Sequence, residues 1–339
     1  MTDKDRLNVV IAVDFDDEIM QRIRDVSPRL NVTRHYPEVP DAVWESTDIL
    51  YTVRHFPQPG EAPRLRWIQL NYAGLENVLE RPIARAENVR ITSASGIHAT
   101  QIANYTLMMM LAFNYRLPRM FELQQKQTWP KNKFDIFTPR DMHKQTLGLV
   151  GYGSIARELA RIAHSIGMTV LATKRDAKNT EENASDYTPE GTGDPEGVIP
   201  ERIYPGEALA TMAPECDYLV VTVPLTDATH HMVNAHVFDS MKKSAVLINI
   251  ARGGVVDEKA LVNALTHKKI RGAALDVFEE EPLPATSPLW KMENVIISPH
   301  VSGNTDDYHE KAATLFIENL KRYLNKKSLY NVLNRDAGY

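Results

Sequence analysis

The sequence predicts an α/β protein with two domains, each built around a parallel sheet. Short apolar runs alternate with helical patterns along most of the 339 residues, which is typical of βαβ units. A chain of this length can form two separate cores. In addition, chemically active side chains follow several of the apolar runs directly, and parallel strands end at a common edge of their sheet.

In the first third of the chain, apolar runs separated by polar segments predict four strands. These strands are 8–13, 49–53, 67–70 and 89–92. Segments 16–26 and 41–45 are predicted to be helices or turns between them. Segment 96–115 predicts a long helix that is apolar nearly all round and therefore buried on most faces.

Segment 118–144 has no clear period and is predicted to be a connection. A strand at 146–150 and a helix at 154–166 follow it, and apolar runs then predict further strands. These strands are 168–173, 218–223, 245–250, 272–277 and 295–297. Asp257 is predicted to cap a helix over 257–267. The polar segment 179–200 predicts an exposed loop.

The last helix, predicted over 306–325 with Thr305 as a possible N-cap, follows the last strand of the second sheet. We expect it to return to the first domain. The second domain is therefore placed at 112–303, and a discontinuous first domain at 1–111 plus 304–339.

A glycine turn lies between the strand at 146–150 and the helix at 154–166. Gly151 and Gly153 belong to the pattern GxGxxA, in which Ser154 and Ile155 open the helix. The first glycine permits the tight turn, and the second allows pyrophosphate to approach the helix N-terminus. Between a strand and a helix this pattern predicts dinucleotide binding.

The end of the next strand bears on the choice between NAD(H) and NADP(H). NAD-binding domains usually carry an acidic residue there, whereas this chain has Lys174 and Arg175. Both side chains would attract a 2′-phosphate, so the sequence favours NADP(H). NAD(H) remains possible if the two basic side chains point to solvent.

Three reactive side chains each follow a predicted strand. They are Arg252, Glu281 and His300. Singly, each has an ordinary interpretation as a surface arginine, a member of the solvated acidic run 279–281, or a loop histidine. Together they would deliver a cation, a carboxylate and an imidazole to one sheet edge, which suits anion binding and proton transfer.

Several motifs in order resemble those of the D-isomer-specific 2-hydroxyacid dehydrogenases. They are GYGSIA at 151–156, TVPLT at 222–226, INIARGGVVDE at 248–258, ALDVFEEEP at 274–282 and SPHVSG at 298–303. The resemblance implies two Rossmann-like or flavodoxin-like parallel-sheet domains with an active-site cleft between them. It also implies a homodimer, with the helix region 98–115 near the subunit interface.

The resemblance implies roles for individual residues in the second domain. Arg252 matches the arginine that binds the substrate carboxylate and carbonyl oxygen, His300 the general acid/base, and Glu281 its carboxylate partner. Asp276 matches a carboxylate on the nicotinamide side of the cofactor site. The residues that match the walls of that site are Val223, Pro224, Ile250 and Gly303.

In the first domain, Tyr72, Ala73 and Gly74 match the loop whose amides hold the substrate carboxylate. An ordinary turn after the strand at 67–70 is the alternative. Arg54 follows another strand and is a candidate for substrate selectivity.

Composition excludes some classes of function. A net charge of −5 argues against nucleic acid as the main partner. Cys216 is the only cysteine, so no disulfide or cysteine-based metal cluster is expected, and no other metal site is predicted. No apolar run is long enough to span a bilayer, and no secretory signal is evident, so a cytoplasmic protein is expected.

The sequence therefore predicts an NAD(P)-dependent reductase of small 2-keto acids to D-2-hydroxy acids, with glyoxylate and hydroxypyruvate as the first substrates to test. The alternative is a dinucleotide-sensing corepressor or scaffold with little turnover, because some relatives act mainly through protein partners.

Overall fold

The computed structural model describes residues 6–335 and divides them into two compact units. The first unit comprises residues 6–97, 183–189 and 305–335, and the second comprises 98–182 and 190–304. The long helix predicted at 96–115 is observed over Ala99–Asn114, within the second unit.

The first unit is built on five strands. Its elements are β1 (Leu7–Ala12), α1 (Asp17–Arg24), β2 (Leu30–Arg34), α2 (Asp41–Trp44), β3 (Ile49–Thr52), β4 (Trp67–Leu70), α3 (Glu76–Leu79), β5 (Arg90–Thr92) and, after the second unit, α11 (Tyr308–Leu324). All neighbours are parallel in the order β2-β1-β3-β4-β5. β2 is not among the predicted strands, because its alternating polar residues lack a continuous apolar run.

Helix α11 covers one face of this sheet. Phe316, on its buried side, packs against Tyr51 and Trp67, with ring centroids 4.9 and 5.3 Å apart respectively. The helix begins at Tyr308 with Asp307 as its cap residue, and Thr305 donates to the Asp307 carboxylate instead of capping the helix itself. The C-terminal segment is thus part of the first unit's core.

The second unit is built on seven strands. Its elements are α4 (Ala99–Asn114), α5 (Leu117–Gln125), α6 (Lys133–Phe137), β6 (Thr146–Val150), α7 (Ser154–Ser165), β7 (Thr169–Lys174), β8 (Arg202–Pro205), α8 (Leu209–Met212), β9 (Tyr218–Val221), α9 (Ala235–Ser240), β10 (Val246–Asn249), α10 (Glu258–Thr266), β11 (Gly272–Leu275) and β12 (Val295–Ile297). The segment predicted as a connection therefore contains α5 and α6.

All seven strands are parallel in the order β12-β11-β10-β9-β6-β7-β8. Strands β10, β11 and β12 are neighbours, with Asn249 opposite Leu275 and Leu275 opposite Ile297. The carboxyl ends of these three strands consequently lie side by side. With both sheets entirely parallel, the predicted α/β class with two parallel-sheet domains is confirmed.

Apolar residues cover both faces of the second sheet, as a parallel sheet requires. α4 and α7 pack on one face, where Leu159 and Met110 contact the strand residues that point toward them. Leu261 and Phe238, from α10 and α9, cover the other face. Asp257 caps α10 as predicted, accepting a hydrogen bond from the Ala260 amide at 2.9 Å.

Residues 179–200 form no helix or strand, but they are not simply an exposed loop. Asp194 is 4% exposed, and its carboxylate accepts hydrogen bonds from the Tyr152 hydroxyl (2.5 Å) and the Ile199 amide (3.1 Å). The buried guanidinium of Arg157 donates to the carbonyls of Asp194 and Thr180. Part of the insertion is therefore fixed on the glycine turn and on α7.

Within residues 6–335, none of the helices combines the length and apolar character needed to cross a membrane.

Candidate active site

The glycine turn joins β6 to α7. Gly151 has a φ of 98°, and a Cβ there would lie 2.7 Å from the Val223 side chain, so only glycine fits without strain. Gly153 precedes the first residue of α7, and a Cβ there would meet no atom within 4 Å. The open space beside a helix N-terminus fits the pyrophosphate of a dinucleotide.

Ser154 and Ile155 form the first turn of α7, as predicted from the sequence. Val223 and Pro224 follow the end of β9, and Ile250 follows β10 and is buried. Gly303 lies after β12, where a Cβ would be 3.2 Å from the His98 ring. The structure therefore places these predicted cofactor residues after strands β9, β10 and β12 of the second sheet.

The end of β7 carries no carboxylate. Its buried residue Thr173 accepts a hydrogen bond from the Gly151 amide at 3.0 Å, which ties the strand end to the glycine turn. The Lys174 ammonium donates to the carbonyls of Asn179 and Glu181, the latter at 2.9 Å. Arg175 is exposed. Of the two basic residues, Lys174 is thus held by the insertion.

Arg252 lies three residues beyond β10 in a tightly held turn. The buried Asn249 side chain donates to the Arg252 carbonyl (3.0 Å) and accepts from the Ala251 amide (3.1 Å). A Cβ on Gly253 would lie 1.8 Å from the Phe278 carbonyl carbon. The backbone of the Arg252 turn therefore runs directly against the loop that leads to Glu281.

Glu281 and His300 form a pair. His300 Nδ1 lies 2.8 Å from Glu281 Oε2, and the other carboxylate oxygen accepts from the Phe278 amide at 3.1 Å. The His300 side chain is 50% exposed. Because Nδ1 is engaged by the carboxylate, Nε2 is the ring nitrogen that can exchange a proton with a bound molecule.

Asp276 is fully buried at the end of β11. Its carboxylate accepts hydrogen bonds from the Val301 amide (2.9 Å), the Ser302 amide (2.8 Å) and the Ser298 hydroxyl (2.6 Å). The sequence pattern points to Asp276 as a cofactor residue but does not identify its bond with Ser298, which no motif signals.

In the first unit, Arg54 follows β3 and is exposed. Tyr72, Ala73 and Gly74 follow the neighbouring strand β4, in a loop anchored by the Tyr308 hydroxyl, which donates to the Asn71 carbonyl at 2.6 Å. The hydrogen bonds found for residues 6–335 include none donated by the amides of Ala73 and Gly74. Two neighbouring amides of this kind can hold a carboxylate.

No group of three or more His, Cys, Asp or Glu side chains in the described part of the chain is arranged to hold a metal ion.

Comparison with known proteins identifies related sequences. Residues 107–302 match the family described as D-isomer specific 2-hydroxyacid dehydrogenase, NAD binding domain. An (S)-sulfolactate dehydrogenase of Chromohalobacter salexigens is 33% identical over 78% of this chain and 80% of its own length. A glyoxylate reductase of Thermofilum pendens is 32% identical over 81% and 77%.

A third relative is longer than this chain. The D-3-phosphoglycerate dehydrogenase of Methanocaldococcus jannaschii is 30% identical over 81% of this chain, which spans about half (48%) of that protein.

Solved structures show the same fold over nearly the whole chain. A D-isomer specific 2-hydroxyacid dehydrogenase family protein of Aeromonas salmonicida superposes with a TM-score of 0.79 at 27% identity, over 98% of this chain and all of the other. A D-isomer specific 2-hydroxyacid dehydrogenase of Xanthobacter autotrophicus, in complex with NADPH and MES, gives 0.78 at 26% identity with the same coverage.

Proposed function

This chain belongs to the D-isomer-specific 2-hydroxyacid dehydrogenase family, and on that premise we propose that it reduces a small 2-keto acid to the D-2-hydroxy acid. The observation that carries the proposal is the pairing of His300 with Glu281, in which Nδ1 and Oε2 lie 2.8 Å apart. Glu281 follows β11 and His300 follows β12, two of the three neighbouring strands β10, β11 and β12. Arg252 lies beyond the third. The same sheet carries the glycine turn that suits a dinucleotide.

In the proposed reaction, the bound nicotinamide dinucleotide supplies the hydride. Arg252 binds the substrate carboxylate and carbonyl oxygen, since a planar guanidinium can donate two parallel hydrogen bonds. His300 Nε2 gives its proton to the carbonyl oxygen as that oxygen gains charge, and takes it back in the reverse direction. Glu281 orients the ring through its contact with Nδ1.

We favour NADP(H) as the cofactor, with NAD(H) as the alternative. The lack of a carboxylate at the end of β7 and the exposed, cationic Arg175 support this preference. Lys174, which is held on the Asn179 and Glu181 carbonyls, contributes a fixed positive charge. Gly151, Gly153, Ser154 and Ile155 would hold the pyrophosphate, and Val223, Pro224, Ile250, Asp276 and Gly303 the nicotinamide half.

Glyoxylate and hydroxypyruvate are the proposed substrates. The Thermofilum pendens relative is named a glyoxylate reductase, which supports this choice. We further propose that the amides of Ala73 and Gly74 bind the substrate carboxylate, that Tyr72 lines the same loop, and that Arg54 contributes to selectivity.

We also propose a homodimer, because an apolar surface lies on the segment that includes α5 and α6. Trp129 is 82% exposed and Phe134 76%, and both line an apolar groove with Met120, Leu123 and Phe137. Exposed aromatic residues clustered in this way are typical of a protein interface. We call this region the arm surface.

A substrate-by-cofactor kinetic matrix tests the proposed function. Loss of NADPH or NADH absorbance is measured with glyoxylate, hydroxypyruvate and larger 2-keto acids, alongside direct binding of each cofactor. Turnover of the two small acids is expected, with a lower KM for NADPH. Tight cofactor binding with no turnover of any 2-keto acid would instead support the corepressor or scaffold.

One double variant tests the basis of cofactor choice in the same assay. Replacing both Lys174 and Arg175 with alanine should raise the KM for NADPH more than that for NADH, because a 2′-phosphate loses its cationic neighbours. An equal effect on both cofactors would contradict this assignment.

A further inference from the structure

His300 has an unusual backbone conformation for a residue other than glycine. Its φ is 54°, in the left-handed region that side chains with a Cβ seldom adopt. Such a conformation persists only where the surrounding structure holds it in place. The contacts of segment 298–302 therefore decide where the imidazole lies.

Asp276 accepts several of the hydrogen bonds of this segment. Its backbone carbonyl accepts from the His300 amide at 2.9 Å. Its carboxylate accepts from the amides of Val301 and Ser302, the two residues that follow His300. Because Asp276 is fully buried and follows β11 directly, it fixes the His300 backbone to the sheet.

The same carboxylate is connected to helix α4. The Ser298 hydroxyl donates to Asp276 Oδ1, so its oxygen is left to accept from the Tyr105 hydroxyl with which it is in contact. Burial raises the pKa of Tyr105 to about 12, with the Ser298 hydrogen bond opposing and the Asp276 charge adding to the rise. The phenol consequently remains a donor throughout the neutral range.

We propose that Tyr105, Ser298 and Asp276 form a chain of positioning residues that holds His300 at the orientation needed for proton transfer. This inference rests on the proposed function of His300. Tyr105 donates to Ser298, Ser298 donates to Asp276, and Asp276 binds the backbone on both sides of the imidazole. A displacement of about 1 Å at a reacting group can reduce a rate by two orders of magnitude, so loosening this chain should slow the proton transfer.

The test compares Ser298→Ala and Tyr105→Phe with two matched controls. Ser298→Thr keeps the hydroxyl. Tyr218→Phe removes another buried tyrosine hydroxyl, which donates to the Met110 carbonyl of the same helix α4 at 3.1 Å. Among the hydrogen bonds found for residues 6–335, none joins this hydroxyl to segment 298–302. Amide exchange of Val301 and Ser302 is measured in the cofactor-free protein, and kcat, KM and the isotope effect of 4-deuterated cofactor are measured in the assay.

Ser298→Ala is expected to speed exchange of the two amides and to lower kcat about tenfold, with the KM for cofactor changed less than about twofold. The isotope effect on kcat should rise, because the chemical step becomes slower than product release. Tyr105→Phe should act in the same direction but more weakly. Ser298→Thr and Tyr218→Phe should resemble the wild type.

Two results would overturn the inference while leaving the proposed function intact. One is unchanged exchange and unchanged kcat in Ser298→Ala. The other is faster exchange with unchanged kcat, which would make the chain structural only. If the wild-type protein turns over no 2-keto acid, the proposed function fails, whereas unchanged exchange in Ser298→Ala would separately refute the hydrogen-bonded chain.

Discussion

Gly253 carries the Arg252 turn past the backbone of Phe278 with no room for a side chain, since a Cβ would lie 1.8 Å from the Phe278 carbonyl carbon. Gly153 also lies in the second unit, but a Cβ there would enter open space. The first glycine is needed for backbone packing, and the second leaves room for a ligand. Gly253 therefore bears on the stability of the fold, and Gly153 on the binding of a ligand.

Gly253→Ala should therefore mainly change stability, and Gly153→Ala should mainly change cofactor binding. Gly253→Ala should lower the free energy of unfolding by at least about 3 kcal/mol, because the Phe278 backbone must move. Gly153→Ala should change it by at most about 1 kcal/mol, as expected at a helix N-cap, while weakening cofactor binding at least about tenfold. Urea unfolding and direct cofactor titration measure the two effects. A Gly153→Ala protein that binds cofactor normally would refute the placement of the pyrophosphate.

Some positions and contacts can be predicted from the sequence and others cannot. The positions of Arg252, Glu281 and His300 beyond strand ends can be predicted because each follows an apolar run within a recognisable motif. The contact between Tyr105 and Ser298 cannot, because it joins residues 193 positions apart and depends on how α4 packs beside the sheet. Likewise, the sequence does not distinguish Lys174 from Arg175. The hydrogen bonds of Lys174 to the carbonyls of Asn179 and Glu181 are seen only in the fold.

At the scale of elements, Asp217 ties the amino ends of two strands together. Its buried carboxylate accepts from the Thr146 amide at 3.0 Å and pairs with Arg140 and Lys242. Burial opposes its ionisation, but the Thr146 amide, Lys242 and Arg140 together outweigh burial, so the pKa of Asp217 lies below its usual value. β6 and β9 thus begin at one charged anchor.

This anchor predicts a pH dependence of stability. A depressed pKa contributes stability above the unfolded-state value of about 3.9, and that contribution is lost as the pH falls through the folded-state value. Asp217→Asn should therefore cost about 2 kcal/mol at pH 7 and at most about half as much at pH 3. Asp239→Asn, which removes an exposed partner of Lys269, serves as the control. A cost for Asp217→Asn that is independent of pH would contradict this account.

The elements that the sequence predicts best are those with an unbroken apolar run or a clear helical period, such as β6, β10 and α7. Strand β2 is missing from the prediction because polar residues alternate along it. Helices α5 and α6 are missing because segment 118–144 shows no clear helical period; several of their apolar residues, such as Phe121 and Phe134, are exposed. The insertion's polar composition predicts an exposed loop, yet its Asp194 is buried because Tyr152 and backbone amides satisfy the carboxylate.

At the scale of the whole molecule, each unit has its own core, and the arm surface of the second unit remains largely apolar and exposed. Exposed apolar surfaces of this kind are typical of protein interaction sites. A second copy of the chain is the partner that the family resemblance implies.

Trp129→Asp combined with Phe134→Asp should therefore weaken dimerisation at least about tenfold, because charge would replace the aromatic residues of the interface. Sedimentation equilibrium should give twice the 38.3 kDa chain mass for the wild type and a smaller average mass for the variant. Trp290→Asp changes a tryptophan that is 52% exposed outside the arm surface and should leave the dimer intact. A monomeric wild type would refute the proposed interface.

In the proposed reaction, His300, held by Glu281, transfers the proton during reduction of a 2-keto acid. The best test is single-turnover reduction by His300→Ala with the preferred substrate, using His267→Ala, which changes an exposed histidine immediately after α10, as the control. We expect His300→Ala to react about a thousandfold more slowly, with cofactor binding and folding unchanged, and His267→Ala to match the wild type. Reaction of His300→Ala at the wild-type rate would contradict the account.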